Sequence, residues 1–259
     1  MGEKSFEKGI ESVEDTAEQR ATFRVSIFGA GGSSGKQDKI AASLAECLAK
    51  DIVVYGGHKV VSGGGSGGVM GAASKGAKEE ALRLGREDLL PEGIIVGKVF
   101  GEVSEDAKLT NTDSLNERLK LLIEGSDACV VLYGKTGTAH ELLSAIVSSA
   151  VESLKNGKRK PVIIADQSLR HVELLSALSE RDAERFPMFA ENVYVVSSSD
   201  AGAEVVNRRV SEDVNFIIES HYKESIGQHL EDGDKEKLDS LSLSNFIKTA
   251  SNFENGEGI

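Results

Sequence analysis

Short apolar runs alternate with longer amphipathic stretches through most of the chain. The first run, FRVSIF at 23–28, is β-branched and aromatic, which is typical of a strand. After a glycine-rich break, apolar residues recur at steps of three and four and predict a helix over about 36–55. The same criteria predict further strands at 59–62, 93–97, 128–133, 161–165 and 192–197. They predict further helices at 69–84, 114–124, 137–154, about 169–181 and from about 201.

This order of elements predicts the fold class. The predicted strands are almost wholly apolar, as in parallel sheets whose two faces are both covered. Six alternations of strand and helix indicate an α/β fold, a single-domain Rossmann-like doubly wound parallel sheet with helices on both faces. The third strand is expected to be followed by a loop of about sixteen residues.

The two ends of the chain are polar and set the expected domain boundaries. We expect residues 1–20 to be a mobile N-terminal arm. Residues 21–210 are expected to form a Rossmann-like domain that binds a nucleotide or phosphate. The remaining residues, 211–259, read as an acidic C-terminal extension that is partly helical and contributes little to the core.

The net charge is strongly negative and unevenly distributed. The chain has 30 Lys and Arg against 42 Asp and Glu, a formal charge of −12, yet residues 21–210 carry 23 basic and 25 acidic residues. We expect no nucleic-acid or membrane partner, because both are bound through clustered Lys and Arg. Two cysteines cannot form a disulfide framework, and no apolar run approaches the ~20 residues of a membrane span, so we expect a cytoplasmic protein.

Glycine is concentrated in two short segments. Of the 28 glycines, twelve lie within 29–35 and 56–71, where strands are followed by helices. In parallel sheets, ligands bind at the carboxyl ends of the strands, where helix N-termini present unpaired N–H groups and the positive end of the helix dipole. The pattern therefore predicts a ligand with a phosphate or another anion.

Three familiar motifs are incomplete. The dinucleotide fingerprint fails because Ser34 stands at the place of its last glycine, and no acid follows the second strand. A Walker motif ending at Gly134–Thr136 would need its first glycine at Cys129, inside a strand. Residues 140–144 lack the second His of a zinc-binding H-E-x-x-H. NAD, P-loop and zinc sites are therefore disfavoured.

Two loops remain as candidates, SGGGSGGVMG at 62–71 and YGKTGTAHE at 133–141. Residues in and near these loops can also have purely structural roles instead of binding a ligand. Thr138 and Glu141 have the spacing of a capping box. Arg118, on the helix that precedes the second loop, can be a solvated surface residue, and Lys135 an ordinary loop lysine.

Together these segments resemble the Lonely Guy (LOG) family of phosphoribohydrolases, over about residues 23–200. The family motif GGGxxGLMG is matched at 63–71, apart from Val69 in place of Leu. Its second motif, PGGxGTxxE, is matched at 133–141 except at Tyr133 and Lys135. The arginine of the family's Arg-Lys pair corresponds to Arg118, which Leu119 follows in place of Lys.

The resemblance implies a hydrolase that cleaves the N-glycosidic bond of nucleoside 5′-monophosphates to give free base and ribose 5-phosphate. The resemblance also implies a homodimer. The reaction itself requires no metal or redox cofactor. Glu141 and Arg118 would be catalytic. The residues that would bind substrate or phosphate are Gly64, Gly65, Gly67, Gly68, Gly134, Lys135, Thr136, Gly137, Thr138, Ser33 and Ser34.

Relatives of the LOG family leave a second function open. They include carriers of the molybdenum cofactor and nucleotide sensors, so the alternative is a non-catalytic binder of a phosphate-bearing ligand. In that case the ligand is molybdenum cofactor or a signalling nucleotide instead of an AMP-like nucleotide. Glu141 then serves mainly to cap its helix. The altered YGKTGT segment favours this alternative.

Overall fold

A computed structural model describes residues 22–32, 34–97, 102–165, 169–182, 184–197 and 203–254. The expected N-terminal arm, 1–20, lies outside them. The strands are β1 (Arg24–Phe28), β2 (Lys59–Ser62), β3 (Glu92–Val96), β4 (Lys108–Thr112), β5 (Ala128–Val131), β6 (Val162–Ile164) and β7 (Val193–Val195). They form one parallel sheet in the order β4-β3-β2-β1-β5-β6-β7.

Helices cover both faces of this sheet. They are α1 (Lys36–Val54), α2 (Gly68–Arg83), α3 (Leu115–Ile123), α4 (Thr136–Asn156), α5 (Arg170–Arg181), α6 (Phe186–Ala190), α7 (Ala203–Ser225), α8 (Asp232–Ser240) and α9 (Leu243–Glu254). One core cluster contains residues of α1, α2 and α7, and the other contains residues of α3, α4, α5 and α9. The predicted Rossmann-like α/β fold with helices on both faces is confirmed. None of the described helices is long and apolar enough to cross a membrane, and the cytoplasmic location stays a prediction.

The loop expected after β3 contains a strand, so that prediction is wrong. Strand β4 has the sequence KLTNT and pairs in parallel with β3 over five residues. It lies at the edge of the sheet, and four of its five residues are exposed. An edge strand of this kind needs no apolar run, so the hydrophobic pattern gave no signal for it.

Helix α7 crosses the domain boundary expected at residue 210. Its residues Val214, Ile217, Ile218 and Tyr222 are buried in the same cluster as α1 and α2. Acidic residues at 212, 213, 219 and 224 flank these apolar ones along the chain, which conceals the buried face in the overall composition. The division into domain and extension stays a prediction, but residues 211–225 form part of the core.

Buried Tyr194 and His221 join β7 to α7. The Tyr194 hydroxyl lies 2.9 Å from His221 Nε2. Burial lowers the pKa of His221 to about 4 and raises that of Tyr194 to about 12. An imidazole in the unfolded chain takes up a proton below about pH 6.5, whereas folded His221 stays neutral down to about pH 4.

This difference predicts a loss of stability in acid. Because the unfolded state binds more protons, the free energy of unfolding should fall between about pH 6.5 and 4, by up to about 3 kcal/mol from His221. Urea unfolding across this range measures the effect. His221→Gln should flatten the decline, whereas His229→Gln, at an exposed position, should keep it. The same decline in all three proteins would contradict the assignment.

Candidate functional site

A cleft of about 840 Å³ opens at the carboxyl ends of the central strands. Its walls are the segments after β1, β2 and β3 and the first turns of α3 and α4. The structure brings nine of the predicted site residues to this cleft or its lining glycine loops. The predicted residues that line it are Gly64, Gly65, Gly67, Arg118, Lys135, Gly137, Thr138 and Glu141. Gly68 lies directly behind Gly67 as the first residue of α2.

Three other predicted residues, Gly134, Thr136 and Ser34, are not part of the cleft lining. Gly134 lies against Thr138, so that a Cβ at residue 134 would collide with the Thr138 side chain. Ser34 is exposed in the β1–α1 segment. Ser33 lies outside the described residues.

The glycine loop after β2 is held in a backbone shape that requires glycine. Gly64 has φ +74° and Gly68 has φ +57°, both in the left-handed region. A Cβ on Gly68 would collide with the Ala30 carbonyl oxygen and lie 2.6 Å from that of Gly32. The N–H of Gly64 donates to Ser62 Oγ over 3.2 Å, so this N–H is engaged within the protein.

The second loop starts α4. Lys135 is the N-cap residue, and its side chain makes no capping hydrogen bond. Thr138 is the third residue of the helix, so the interpretation of Thr138 and Glu141 as a capping box is wrong. Residues 137, 138, 140 and 141 share one face of the helix, and all four line the cleft.

Arg118 and Glu141 meet inside the cleft. Arg118 Nη1 lies 3.5 Å from Glu141 Oε1, and the two side chains are only 13% and 16% exposed. Arg118 Nε donates to the Ile94 carbonyl over 2.9 Å, and Nη2 donates to the Gly63 carbonyl over 3.5 Å. One guanidinium therefore connects β3, the glycine loop and α4.

The alternative that Arg118 is a solvated surface residue is therefore wrong. The acidic neighbours on its own helix have other partners. Glu117 accepts a hydrogen bond from the backbone N–H of Asp113, and Glu124 pairs with Lys120. Ser114 caps α3 through its side chain, which accepts from the Glu117 N–H.

Burial changes the proton affinity of Glu141. Loss of solvent raises the pKa of this carboxyl above its usual range, and the nearby charge of Arg118 opposes the rise without cancelling it. A carboxylate with a raised pKa is a better proton acceptor than an exposed one. The pair therefore has the properties of a general base held by a fixed cation.

Tyr133 and Lys135, the two departures from the second family motif, have different surroundings. The Tyr133 side chain packs against the core, with the Arg170 guanidinium 5.9 Å from its ring centroid, and it is not part of the cleft lining. Lys135 is exposed and does line the cleft. The lysine therefore leaves the cleft open and adds a cation to it.

Sequence reasoning missed several polar residues of the cleft, including Asn116, His140 and Glu102. Helical spacing around Arg118 and Glu141 was a usable signal for the first two, since positions 115, 116, 118 and 119 of α3 line the cleft in the same rhythm as α4. Among the described residues, no group of three or more His, Cys, Asp or Glu is placed to hold a metal ion. The expectation of a metal-free reaction stays a prediction.

The chain is similar to known proteins in both sequence and structure. The model of the SLOG cluster4 family matches residues 22–177. A rice protein (Oryza sativa subsp. japonica), named "Probable cytokinin riboside 5'-monophosphate phosphoribohydrolase", is 32% identical over 141 residues. The match covers 54% of this chain and 58% of the rice protein, so the chain spans less than two thirds of that relative.

Solved structures resemble the fold. The molybdenum cofactor binding protein of Rippkaea orientalis has a TM-score of 0.54 and 24% identity, over 76% of this chain and 98% of that protein. The molybdenum cofactor carrier protein of Chlamydomonas reinhardtii has a TM-score of 0.51 and 21% identity, over 77% and 99%. At these identities the likeness concerns the fold alone.

Proposed function

Because the chain belongs to the SLOG cluster4 family, we propose that it is a phosphoribohydrolase of nucleoside 5′-monophosphates. It would cleave the N-glycosidic bond and release free base and ribose 5-phosphate. The observation that carries this proposal is the Arg118–Glu141 pair, which is largely buried in a cleft bordered by two glycine-containing loops. The name of the rice relative is consistent with such a reaction.

The phosphate is proposed to lie between the N-termini of α2 and α4. Both helices begin at the cleft, and their first N–H groups have no partner within the helix. Gly65, Gly67, Gly137 and Thr138 would supply N–H donors there, and Lys135 a positive charge. Gly64 would serve as bare backbone that lets the phosphate approach, since its own N–H is bonded to Ser62.

Glu141 is proposed to act on the sugar. Breaking the bond from ribose C1′ to the base nitrogen leaves positive charge on the sugar ring, and the bonding electrons stay with the base. The Glu141 carboxylate would stabilise this charge and accept a proton from the water that attacks C1′. The base takes up a proton as it leaves, so the overall reaction consumes one water. Arg118 would hold Glu141 in place and assist the departing base.

A product screen tests this proposal. The purified protein is incubated with AMP, an N6-modified AMP and other nucleoside monophosphates, and base and ribose 5-phosphate are measured. A thermal-shift assay with the same nucleotides and with molybdenum cofactor runs in parallel. Tight binding of the monophosphates without cleavage would overturn the hydrolase.

The second candidate is a non-catalytic carrier of a phosphate-bearing ligand, and Lys135 favours it. The LOG motif has glycine at this position, whereas here an exposed cation lines the cleft at the start of α4. A carrier should co-purify with its ligand. It should gain stability of roughly RT ln(1 + [L]/Kd) on binding, without turnover.

A homodimer is also proposed, through the helices next to the cleft. Val147 and Val151 lie one turn apart on α4 and are 50% and 37% exposed, and Leu121 on α3 is 37% exposed. Exposed apolar side chains of this kind are common in subunit interfaces.

Charge at this face should therefore separate the subunits. We expect a dimer for the wild-type protein and a monomer for the double variant Val147→Asp/Val151→Asp in light scattering at micromolar concentration, because the carboxylates would lose solvent in the interface. Leu84→Asp, at a 41% exposed position after α2, is the matched control and should stay dimeric. A wild-type monomer would contradict the proposal.

A further inference from the structure

The Arg118–Glu141 pair does not supply the proton that the departing base takes up. When the bond from C1′ to the base nitrogen breaks, its electron pair stays with the base, and a proton given to the base at that moment lowers the barrier. Glu141 is proposed to accept a proton, not to donate one. The guanidinium of Arg118 keeps its protons in proteins. A separate proton donor beside the base would therefore complete the site.

His140 is placed for this task by its position on α4. It directly precedes Glu141, its side chain is exposed, and both residues line the cleft. His140 lies three residues beyond Gly137, where the phosphate is proposed to bind. Three residues of helix advance about 4.5 Å. A nucleotide that extends from its phosphate along α4 would therefore present its sugar and base to Glu141 and His140 together.

The other charged groups of the described cleft lining are less suited to donate the proton. They are Glu102 after β3, Arg118 on α3, and Lys135 and Glu141 beside it on α4. Ionised carboxylates accept protons, and an ammonium group is ordinarily a much weaker acid than an imidazolium near neutral pH. The described lining segments after β1 and β2 contain no titratable side chain. His140 is thus the imidazole of this lining.

The surroundings of His140 allow it to gain and lose a proton. Within the part of the chain that the structure describes, its ring has no hydrogen-bond or ion-pair partner. Its exposure allows solvent to return the proton after each turnover. Glu141, by contrast, is only 16% exposed and is paired with Arg118. The cleft therefore combines an enclosed proton acceptor with an exposed proton donor at the next residue.

We propose that His140 is the general acid of the reaction and protonates the base as it leaves. This inference rests on the proposed function. A ring nitrogen of the imidazolium gives its proton to N7 of adenine, while the bond from C1′ to N9 breaks and its electron pair moves into the base. The attacking water gives its hydroxyl to C1′ and its proton to Glu141. Solvent then returns a proton to His140 and removes one from Glu141, so one water is consumed overall.

Two substrates with different leaving groups test the inference. Adenine needs a proton to leave AMP, whereas the cationic base of nicotinamide mononucleotide leaves as neutral nicotinamide without one. For His140→Gln we expect kcat with AMP to fall roughly 100-fold or more, and kcat with nicotinamide mononucleotide to fall less than roughly threefold. Glu141→Gln should lose activity on both substrates. His229→Gln, at an exposed position outside the cleft lining, is the matched control and should keep both activities.

The alkaline side of the pH profile gives a second readout. Wild-type kcat/KM for AMP should fall with rising pH as His140 loses its proton. This fall should be absent from His140→Gln, and His229→Gln should retain it. An alkaline fall that persists unchanged in His140→Gln contradicts the inference. Equal melting temperatures of the wild-type protein and His140→Gln exclude misfolding as the cause of any loss.

The outcomes separate this inference from the proposed function. A loss confined to AMP supports His140 as the acid. Equal losses on the two substrates, or an unchanged rate with AMP, overturn the role of His140 and leave the hydrolase standing. Wild-type cleavage of nicotinamide mononucleotide but not AMP does the same. Cleavage of neither substrate by the wild-type protein overturns both.

Discussion

Glu141→Gln is expected to abolish release of the base from nucleoside 5′-monophosphates while leaving the fold and nucleotide binding intact. The amide has nearly the shape of the carboxylate but neither stabilises a positive sugar nor accepts a proton from water. Loss of a positioned general base costs typically 10²–10⁴-fold in rate. Measurement of kcat with AMP should show a loss of this size.

A control variant and a pH profile test the catalytic role of Glu141 further. Glu180→Gln removes an exposed carboxylate from α5, away from the cleft lining, and should keep full activity. The wild-type pH profile is the second test. Because burial raises the pKa of Glu141, kcat/KM should begin to fall in acid at a higher pH than an ordinary glutamate would give. Near-normal turnover by Glu141→Gln would contradict the catalytic role.

Arg118→Met should have the second largest effect, on both activity and stability. The variant removes the charge beside Glu141 and the donors to the carbonyls of Ile94 and Gly63. A buried acceptor left without a donor costs about 1–3 kcal/mol. We therefore expect a free energy of unfolding lower by about 2 kcal/mol or more, and kcat/KM lower by roughly 100-fold or more.

The pH profile separates positioning of Glu141 from a purely structural role of Arg118. Arg118 opposes the rise in the pKa of Glu141, so its removal should move the acid limb of the residual activity to still higher pH. Arg118→Lys keeps a charge and should shift the limb less. Lys120→Met, on the exposed side of the same helix, should leave the profile unchanged. An unshifted limb in Arg118→Met would contradict the coupling.

Much of the fold was predictable because its strands are buried on both faces. Such strands are continuous apolar runs, and the six predicted strands correspond to six of the seven observed. The missed strand, β4, lies at the exposed edge and has a polar sequence. Helix α7 was underestimated beyond residue 210 because its largely apolar run, 214–218, is short and is flanked by acidic residues at 212, 213 and 219.

The candidate site was predictable only for residues that belong to the family's motifs or to its arginine position. The spacing of Arg118 and Glu141 indicated two residues that the structure places 3.5 Å apart. Their contact depends on the packing of α3 beside α4, so the residues by themselves favoured a capping box for Thr138 and Glu141. Glu102 lies far along the chain from the glycine loop, and its approach depends on a bridge between Gly65 and Val103 that no local pattern encodes.

Glu141 is proposed to promote cleavage of the N-glycosidic bond of a nucleotide that is held by its phosphate. The most direct test quantifies adenine and ribose 5-phosphate released from AMP, with adenosine as the substrate that lacks the phosphate. We predict equal amounts of the two products over many turnovers, no release by Glu141→Gln, and far slower cleavage of adenosine. Tight binding of AMP without release, or cleavage of adenosine as fast as AMP, would contradict the account.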